Sequence, residues 1–159
     1  MLEFGNETAL TLTHAPFLRR IEEVEDNCVR FIVSLTTQGT QSEEALPEDA
    51  RLQQILSHAH PLCPDETQTY EITFTDYILY QTRNESYCSY DPQEVRRGRY
   101  FLIFEHSRLL DTLPLLTDCQ MTQSGDAYPG RWTHYGIYCQ NHIIDIISHT
   151  APVIRNIGL

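Results

Sequence analysis

The chain has 159 residues and a formal net charge of −11 at pH 7, and all 11 of its basic residues are arginine. A chain of this length buries about 70% of its extended surface when it folds as one unit, so we expect a single domain over residues 1–159. The absence of lysine excludes Schiff-base and pyridoxal phosphate chemistry and the Walker A phosphate site. The acidity argues against nucleic acid as a ligand and favours a basic partner or simple solubility.

The sequence indicates a cytoplasmic protein with no contact to membranes. No apolar run approaches the roughly 20 residues of a membrane span, and Met1-Leu2-Glu3-Phe4 does not open a signal peptide. An odd number of unclustered cysteines is typical of reduced thiols. The cysteines are Cys28, Cys63, Cys88, Cys119 and Cys139.

The N-terminal part has two interpretations. Residues 9–13 predict a short strand. In residues 17–35, Phe17, Ile21, Val24 and Cys28 have helical spacing, whereas the β-branched segment 29–35 is typical of a strand. A hairpin that pairs residues 18–24 with 28–35 around the turn residues Asp26-Asn27 accounts for both halves, and we favour it.

A family resemblance begins in the same region. The segment Thr13-His14-Ala15-Pro16-Phe17-Leu18, followed by Ile21 and the strand 28–35, resembles the opening of small bacterial β-rich domains. Several of these are immunity-type proteins encoded beside toxins. Their histidine is often followed by aspartate, whereas Ala15 follows it here. The resemblance implies an intracellular protein-binding module without catalytic residues.

A helix and a long strand follow. Residues 47–60 predict a helix with an apolar stripe that comprises Leu52, Ile55, Leu56 and Ala59. Residues 70–81 alternate as a half-buried strand does, until Asp76 falls on the apolar face. Either a bulge turns Asp76 outward, which we favour, or Asp76 is a buried and hydrogen-bonded acid.

The C-terminal half reads as strands with one more helix. Residues 99–105 are nearly all apolar and predict a central strand covered on both faces. Ser107 is a candidate cap for a short helix over residues 108–113, and residues 132–139 and 142–148 predict a hairpin. The tail from Ala151 predicts an edge strand. We therefore expect an α+β fold with a mainly antiparallel, bent sheet of six or more strands packed on one or two helices.

Two groups of residues are candidates for a partner-binding surface. The first is a set of acids that would meet a basic protein and speed its association; a solvated surface explains them equally well. The second is a polar and aromatic cluster after the long strand, whose arginine and glutamate would bind a carboxylate or phosphate and whose tyrosines suit an interface; a structural strand end is the alternative. The acids are Glu22, Glu23, Glu25, Asp26, Glu43, Glu44, Glu48 and Asp49, and the cluster comprises Arg83, Glu85, Tyr87 and Tyr90.

Metal and thiol chemistry have weaker support. His58, His60 and Cys63 are the best metal candidates, with a fourth ligand to come from His14, His106, His134 or His142. Residues two apart do not share a helix face, so both histidines could ligate only if the helix has ended before them. We expect no metal and no other cofactor. Cys139 with His134 or His142 is one conceivable thiol–base pair, but no local signature supports it, and we expect no catalytic residues.

The leading hypothesis is a small acidic binding protein, an immunity or inhibitor protein for a basic toxin such as a nuclease. The alternative is a ligand-binding or enzymatic half-barrel whose pocket is lined by Tyr77, Tyr80, Phe101 and Trp132, with Arg83 and Glu85 at its mouth. A third hypothesis is a structural homodimer formed through the N-terminal hairpin or the tail strand. The oligomeric state is left open by the sequence.

Overall fold

The computed structural model describes residues 2–6, 12–39, 49–56 and 59–159. Within them, eleven strands pair antiparallel, which confirms the predicted β-rich α+β class. The strands are β1 (Phe17–Glu25), β2 (Cys28–Gln38), β3 (Leu62–Thr75), β4 (Tyr77–Asn84), β5 (Val95–Arg97), β6 (Phe101–His106), β7 (Gln120–Met121), β8 (Ala127–Tyr128), β9 (Thr133–Tyr138), β10 (His142–Ser148) and β11 (Val153–Asn156). The helices are α1 (Ala50–Leu56) and α2 (Arg108–Leu116), and a 3₁₀ turn spans Glu85–Tyr87. Neither helix is long and apolar enough to cross a bilayer.

The strands divide into three sheets rather than one bent sheet. Four strands form a sheet in the order β1-β2-β3-β11, five form a second in the order β4-β10-β9-β6-β5, and β7 pairs with β8 alone. The two large sheets share one apolar core, to which Phe31 and Phe74 contribute from the first and Ile137 and Ile144 from the second. All four side chains are fully buried.

The N-terminal hairpin is confirmed. Strands β1 and β2 pair antiparallel, and Glu25 lies opposite Cys28 across the two-residue turn. Asn27 has a φ of 58°, a left-handed conformation that asparagine accepts more readily than most residues. The predicted strand over residues 9–13 is wrong at Leu12 and Thr13, which are outside any strand, and its other residues lie outside the described ranges.

Asp76 separates two strands that the sequence presents as one. Its side chain is exposed, so the prediction that this acid turns outward is confirmed, but a bend between two strands turns it outward and not the predicted bulge. It has a φ of 59°, and its backbone N–H donates to the Asn27 carbonyl at 2.8 Å. The chain bends there and passes from β3 in the four-stranded sheet to β4 in the five-stranded sheet.

The two helices differ in how they meet the sheets. Within the apolar stripe predicted for the first helix, Leu52 and Ile55 are 46% and 62% exposed, so these two side chains do not face the core. The apolar core between the two large sheets consists mainly of side chains that the strands supply. In α2, by contrast, Leu113 is fully buried in a second apolar cluster with Ile147 of β10. This cluster lies on the outer face of the five-stranded sheet, since neighbouring Ile146 faces the main core.

The remaining strand predictions are confirmed. Strand β6 lies between β9 and β5, and Phe101, Leu102 and Phe104 are buried in it. Strands β9 and β10 form the predicted hairpin, and β11 is an edge strand beside β3. Ser107 caps α2 as predicted, and the helix continues through Pro114 to Leu116.

Candidate functional site

The acids of the N-terminal hairpin have different surroundings. Glu22 pairs with Arg20 at 2.8 Å and with Arg30 at 3.7 Å. Glu23 accepts hydrogen bonds from the hydroxyls of Tyr80 at 2.9 Å and Tyr77 at 3.4 Å. Both carboxylates are therefore already engaged within the protein, and they offer less to a partner than their charges suggest.

Three other acids lie at the hairpin end, and none of them has an ion-pair partner among the described residues. The hydrogen bond from Asp76 to Asn27 brings the β3–β4 bend against the β1–β2 turn, which carries Glu25 and Asp26. All three acids are exposed. We call Glu25, Asp26 and Asp76 the acidic end; the sequence pointed to the first two as partner-binding residues and did not point to Asp76.

Of the remaining predicted acids, the structure describes only Asp49. Glu43, Glu44 and Glu48 lie outside the described residues. Asp49 caps α1, because its Oδ1 accepts the backbone N–H groups of Arg51 at 2.8 Å and Leu52 at 3.3 Å. That bond satisfies amide donors at the helix start, which is a structural role.

The cluster after β4 is divided by the fold. The Arg83 guanidinium turns back to Asp145 on β10 and donates to its Oδ2 from Nε at 3.1 Å and from Nη2 at 2.8 Å. Glu85 begins the 3₁₀ turn and is exposed. Tyr87 and Tyr90 are 87% and 77% exposed, so their rings are available to a partner, whereas the exposed Arg83 has its Nε and Nη2 atoms engaged by Asp145.

Asp145 is the centre of a buried polar network that the sequence did not indicate as a site. The residue is 1% exposed, and its Oδ1 accepts from His134 Nε2 at 3.1 Å. Gln81 Nε2 donates to Oδ2 at 3.1 Å, beside the Arg83 bonds. The one sequence signal is a lone acid among four isoleucines, Ile143-Ile144-Asp145-Ile146-Ile147, since a charge within an apolar strand requires buried partners.

The network holds the carboxylate in its charged form. Burial by itself raises the pKa of Asp145, but the His134 hydrogen bond and the charge of Arg83 outweigh it and hold that pKa below its usual value. The ring of Phe104 stacks on His134 with centroids 4.1 Å apart. Gly136 leaves room for this stack, because a Cβ there would lie 2.9 Å from the Phe104 ring.

Serine, histidine and aspartate stand in one hydrogen-bonded chain here, and these are the residue types of a nucleophilic triad. The Ser107 hydroxyl lies 2.8 Å from His134 Nδ1, and it also accepts the Leu110 N–H at 3.1 Å. Ser107 is 0% exposed. A hydroxyl that caps a helix and cannot meet a substrate is not a nucleophile, so in this arrangement the chain ties α2 to β9 and β10.

An open cleft of about 260 Å³ lies beside the network, between α2 and the segment that follows β4. His134 and Asp145 lie at its base, and Arg83 and Arg108 line it. Arg108 donates from Nε to Oδ2 of Asp91, a buried acid whose Oδ1 accepts the Gln93 N–H at 2.9 Å. Burial raises the pKa of Asp91, but the hydrogen bond from the Gln93 backbone N–H and the charge of Arg108 outweigh it and hold that pKa below its usual value. A second, more open depression beside Arg83 is lined by Asn84, Ser86, Asn141 and His142.

The proposed metal ligands are not brought together among the described residues. His58 lies outside them, His60 is exposed and Cys63 is half-buried in β3. No group of three or more His, Cys, Asp or Glu side chains is placed to hold a metal ion in the described ranges. His134, one of the suggested fourth ligands, has both ring nitrogens engaged by Ser107 and Asp145.

Burial argues against two hypotheses from the sequence, the Cys139 thiol nucleophile and the pocket lined by aromatic residues. Cys139 is 2% exposed, and burial raises the pKa of its thiol to about 12, opposite to what a nucleophilic thiolate needs. Tyr77, Tyr80 and Phe101 pack in the main core, whereas Trp132 packs in the second cluster with Leu113. These four aromatic residues therefore fill two apolar clusters.

Comparison with protein-family models, with curated proteins and with solved structures gives no match for this chain.

Proposed function

We propose that this chain is a protein-binding module that recognises a basic protein partner through its acidic end. The support is the convergence of Glu25, Asp26 and Asp76 on one exposed surface, where they have no ion-pair partner among the described residues. Unpaired surface charge of one sign accelerates association with an oppositely charged partner and selects among partners.

The structural setting suits this role. The backbone that carries the three acids is fixed by two left-handed residues, Asn27 and Asp76, and by the hydrogen bond between them. A charge pattern on a fixed turn costs less conformational entropy on binding than one on a mobile loop. The net charge of −11 adds a long-range field of the same sign.

The narrower proposal is an immunity or inhibitor protein that neutralises a basic toxin, such as a nuclease, in the bacterial cytoplasm. It rests on the acidity and on the resemblance of residues 13–35 to immunity-type domains. A nuclease active region is basic because it binds phosphates, so an acidic protein surface is complementary to it.

The test is a titration with the purified product of the gene adjacent to the one that encodes this chain. We expect a complex with a Kd below about 1 μM at 0.15 M salt, which corresponds to about −8 kcal/mol, and loss of any nuclease activity of the partner in the complex. Lysozyme serves as an unrelated basic protein that controls for non-specific attraction. Failure to bind the adjacent product, or equal binding to lysozyme, would reject the proposal.

A further inference from the structure

We propose that the cleft between α2 and the segment after β4 binds a small organic monocarboxylate, which accepts hydrogen bonds from Arg83 and Arg108, two arginines each anchored by a buried acid. This site is distinct from the acidic end, and the inference does not depend on the proposed protein partner.

The two arginines are fixed before a ligand arrives. Arg83 is held on its Nε side by Asp145, and Arg108 is held through Nε by Asp91, and both acids are buried. Among the described residues, Nη1 of Arg83 and both Nη atoms of Arg108 have no hydrogen-bond partner. A guanidinium anchored in this way presents a planar pair of donors at little further entropic cost.

The anchoring acids do not compete for a cationic ligand. Oδ1 of Asp145 accepts from His134, and its Oδ2 accepts from Arg83 and Gln81. Oδ1 and Oδ2 of Asp91 are taken by Gln93 and Arg108. Both guanidiniums therefore keep free donors, and the hydroxyl of the exposed Ser89 adds one more, while the Glu94 carboxylate on the same lining supplies acceptors.

Charge balance decides between a carboxylate and a phosphate. The cleft is lined by two arginines and by three acids, Asp91, Glu94 and Asp145. A dianionic phosphate would add two further negative charges to a lining that is already slightly negative, whereas a monocarboxylate adds one and matches the guanidinium plane. Leu109 and Leu116 supply an apolar wall for the rest of the ligand. The volume of about 260 Å³ is below the range of drug-sized sites and suits a small molecule.

The test uses three small aromatic probes in amide-resolved NMR titrations of the full chain. Benzoate is the carboxylate, benzamide its neutral counterpart, and phenyl phosphate the dianion. We expect saturable millimolar binding of benzoate, with shifts centred on the amides of Ser89, Arg108 and Leu109. Benzamide should bind at least about tenfold more weakly because it lacks the charged hydrogen bonds. Phenyl phosphate should bind at least about tenfold more weakly because its second negative charge is repelled by the acids of the lining. Absence of saturable benzoate shifts at these amides, or equal or tighter binding of either other probe, would overturn the proposal.

Matched arginine variants locate the site. Arg108→Gln should weaken benzoate binding at least about tenfold, and Arg131→Gln, which removes an exposed arginine that does not line the cleft, should leave it unchanged. An equal effect of the two substitutions would contradict the assignment. The comparison of the three probes on the unmodified chain decides the question even where Arg108→Gln does not fold.

Discussion

Asp145 directs both of its oxygens at donors, although it is almost fully buried. A buried charge is tolerable only with this degree of pairing, and the pairing connects three strands and one helix. His134 contributes from β9, Arg83 and Gln81 contribute from β4, and Ser107 extends the chain of bonds to α2. The polar network around Asp145 thereby adds to the apolar contacts of Leu113 that hold α2 on the outer face of the five-stranded sheet.

Asp145→Asn should lower the free energy of unfolding at pH 7 by roughly 3 kcal/mol. This is the low end of the range for a broken buried pair, because the Arg83 side chain is 43% exposed and remains partly solvated. Urea denaturation measures the change. Asp118→Asn, at an exposed position, should change it by less than about 0.5 kcal/mol, and an equal effect of the two substitutions would contradict the role of the network.

The same pair predicts a pH dependence with a definite sign. The folded protein lowers the pKa of Asp145, so the stabilisation is fully present above the unfolded pKa of about 3.9 and is lost as the pH falls through the lower folded value. The difference in unfolding free energy between the native chain and Asp145→Asn should therefore shrink as the pH is lowered below about 4. A difference that stays constant from neutral pH into this acid range would show that the carboxylate charge does not matter.

At the scale of elements, the two left-handed residues explain why a continuous strand pattern becomes two strands in two sheets. Asn27 and Asp76 have φ values of 58° and 59° and are joined by a hydrogen bond. Side chains other than glycine, asparagine and aspartate pay about 1–2 kcal/mol for this conformation. Asp76 therefore allows the bend through its own backbone conformation, and the hydrogen bond to Asn27, about fifty positions earlier in the chain, holds the bend in place.

Substitutions at position 76 separate the backbone role from the charge. Asp76→Val should destabilise the fold by about 1–2 kcal/mol because a β-branched residue resists a positive φ, whereas Asp76→Gly should stay within about 1 kcal/mol of the native chain. Urea denaturation of both variants is the measurement. A valine variant as stable as the glycine variant would mean that the left-handed bend is not needed.

The two helices predict opposite responses to truncation. Leu113→Ala in α2 should cost about 2–5 kcal/mol of unfolding free energy, as expected for a fully buried leucine. Ile55→Ala in α1, at a side chain that is 62% exposed, should cost less than about 0.5 kcal/mol. Comparable losses measured by urea denaturation would show that α1 packs on the protein after all.

These elements also mark what a sequence can predict. Both hairpins were predictable because each depends on a short turn between strands of fitting periodicity, as at Asp26-Asn27. The exposure of Leu52 and Ile55 in α1 was not predictable. An apolar stripe shows which helix face is apolar, but it does not show whether the rest of the fold leaves room to bury that face. The network around Asp145 was not predictable either, because Arg83 and His134 meet only through the pairing of β4, β10 and β9. The sequence signal for a buried network was the lone acid in the isoleucine run.

At the scale of the whole molecule, the charge is unevenly distributed. The first 50 residues carry ten acids and three arginines, and the remainder carries twelve acids and eight arginines. The ion pairs of Glu22 and the helix-capping role of Asp49 use part of the N-terminal excess within the protein. The acidic end therefore comprises fewer acids than the N-terminal composition suggested. Because it consists of three residues, its charge can be neutralised by three substitutions.

The central claim is that this surface carries partner recognition. Neutralising it with Glu25→Gln, Asp26→Asn and Asp76→Asn removes three negative charges while the two aspartate positions keep a residue suited to their backbone. A matched control, Glu3→Gln with Glu105→Gln and Asp118→Asn, removes three charges from exposed positions elsewhere. Both variants have the same net charge, so any difference between them comes from where the charges lie.

The most direct measurement is the association rate and Kd of these two variants with the purified adjacent-gene product at 0.15 M salt. We predict that neutralising the acidic end raises the Kd at least about tenfold and slows association, as loss of complementary charge at an interface does. The control variant should remain within about twofold of the native chain, as expected for charges far from the interface. Equal behaviour of the two variants would contradict the claim, because binding would then depend on net charge alone or on another surface.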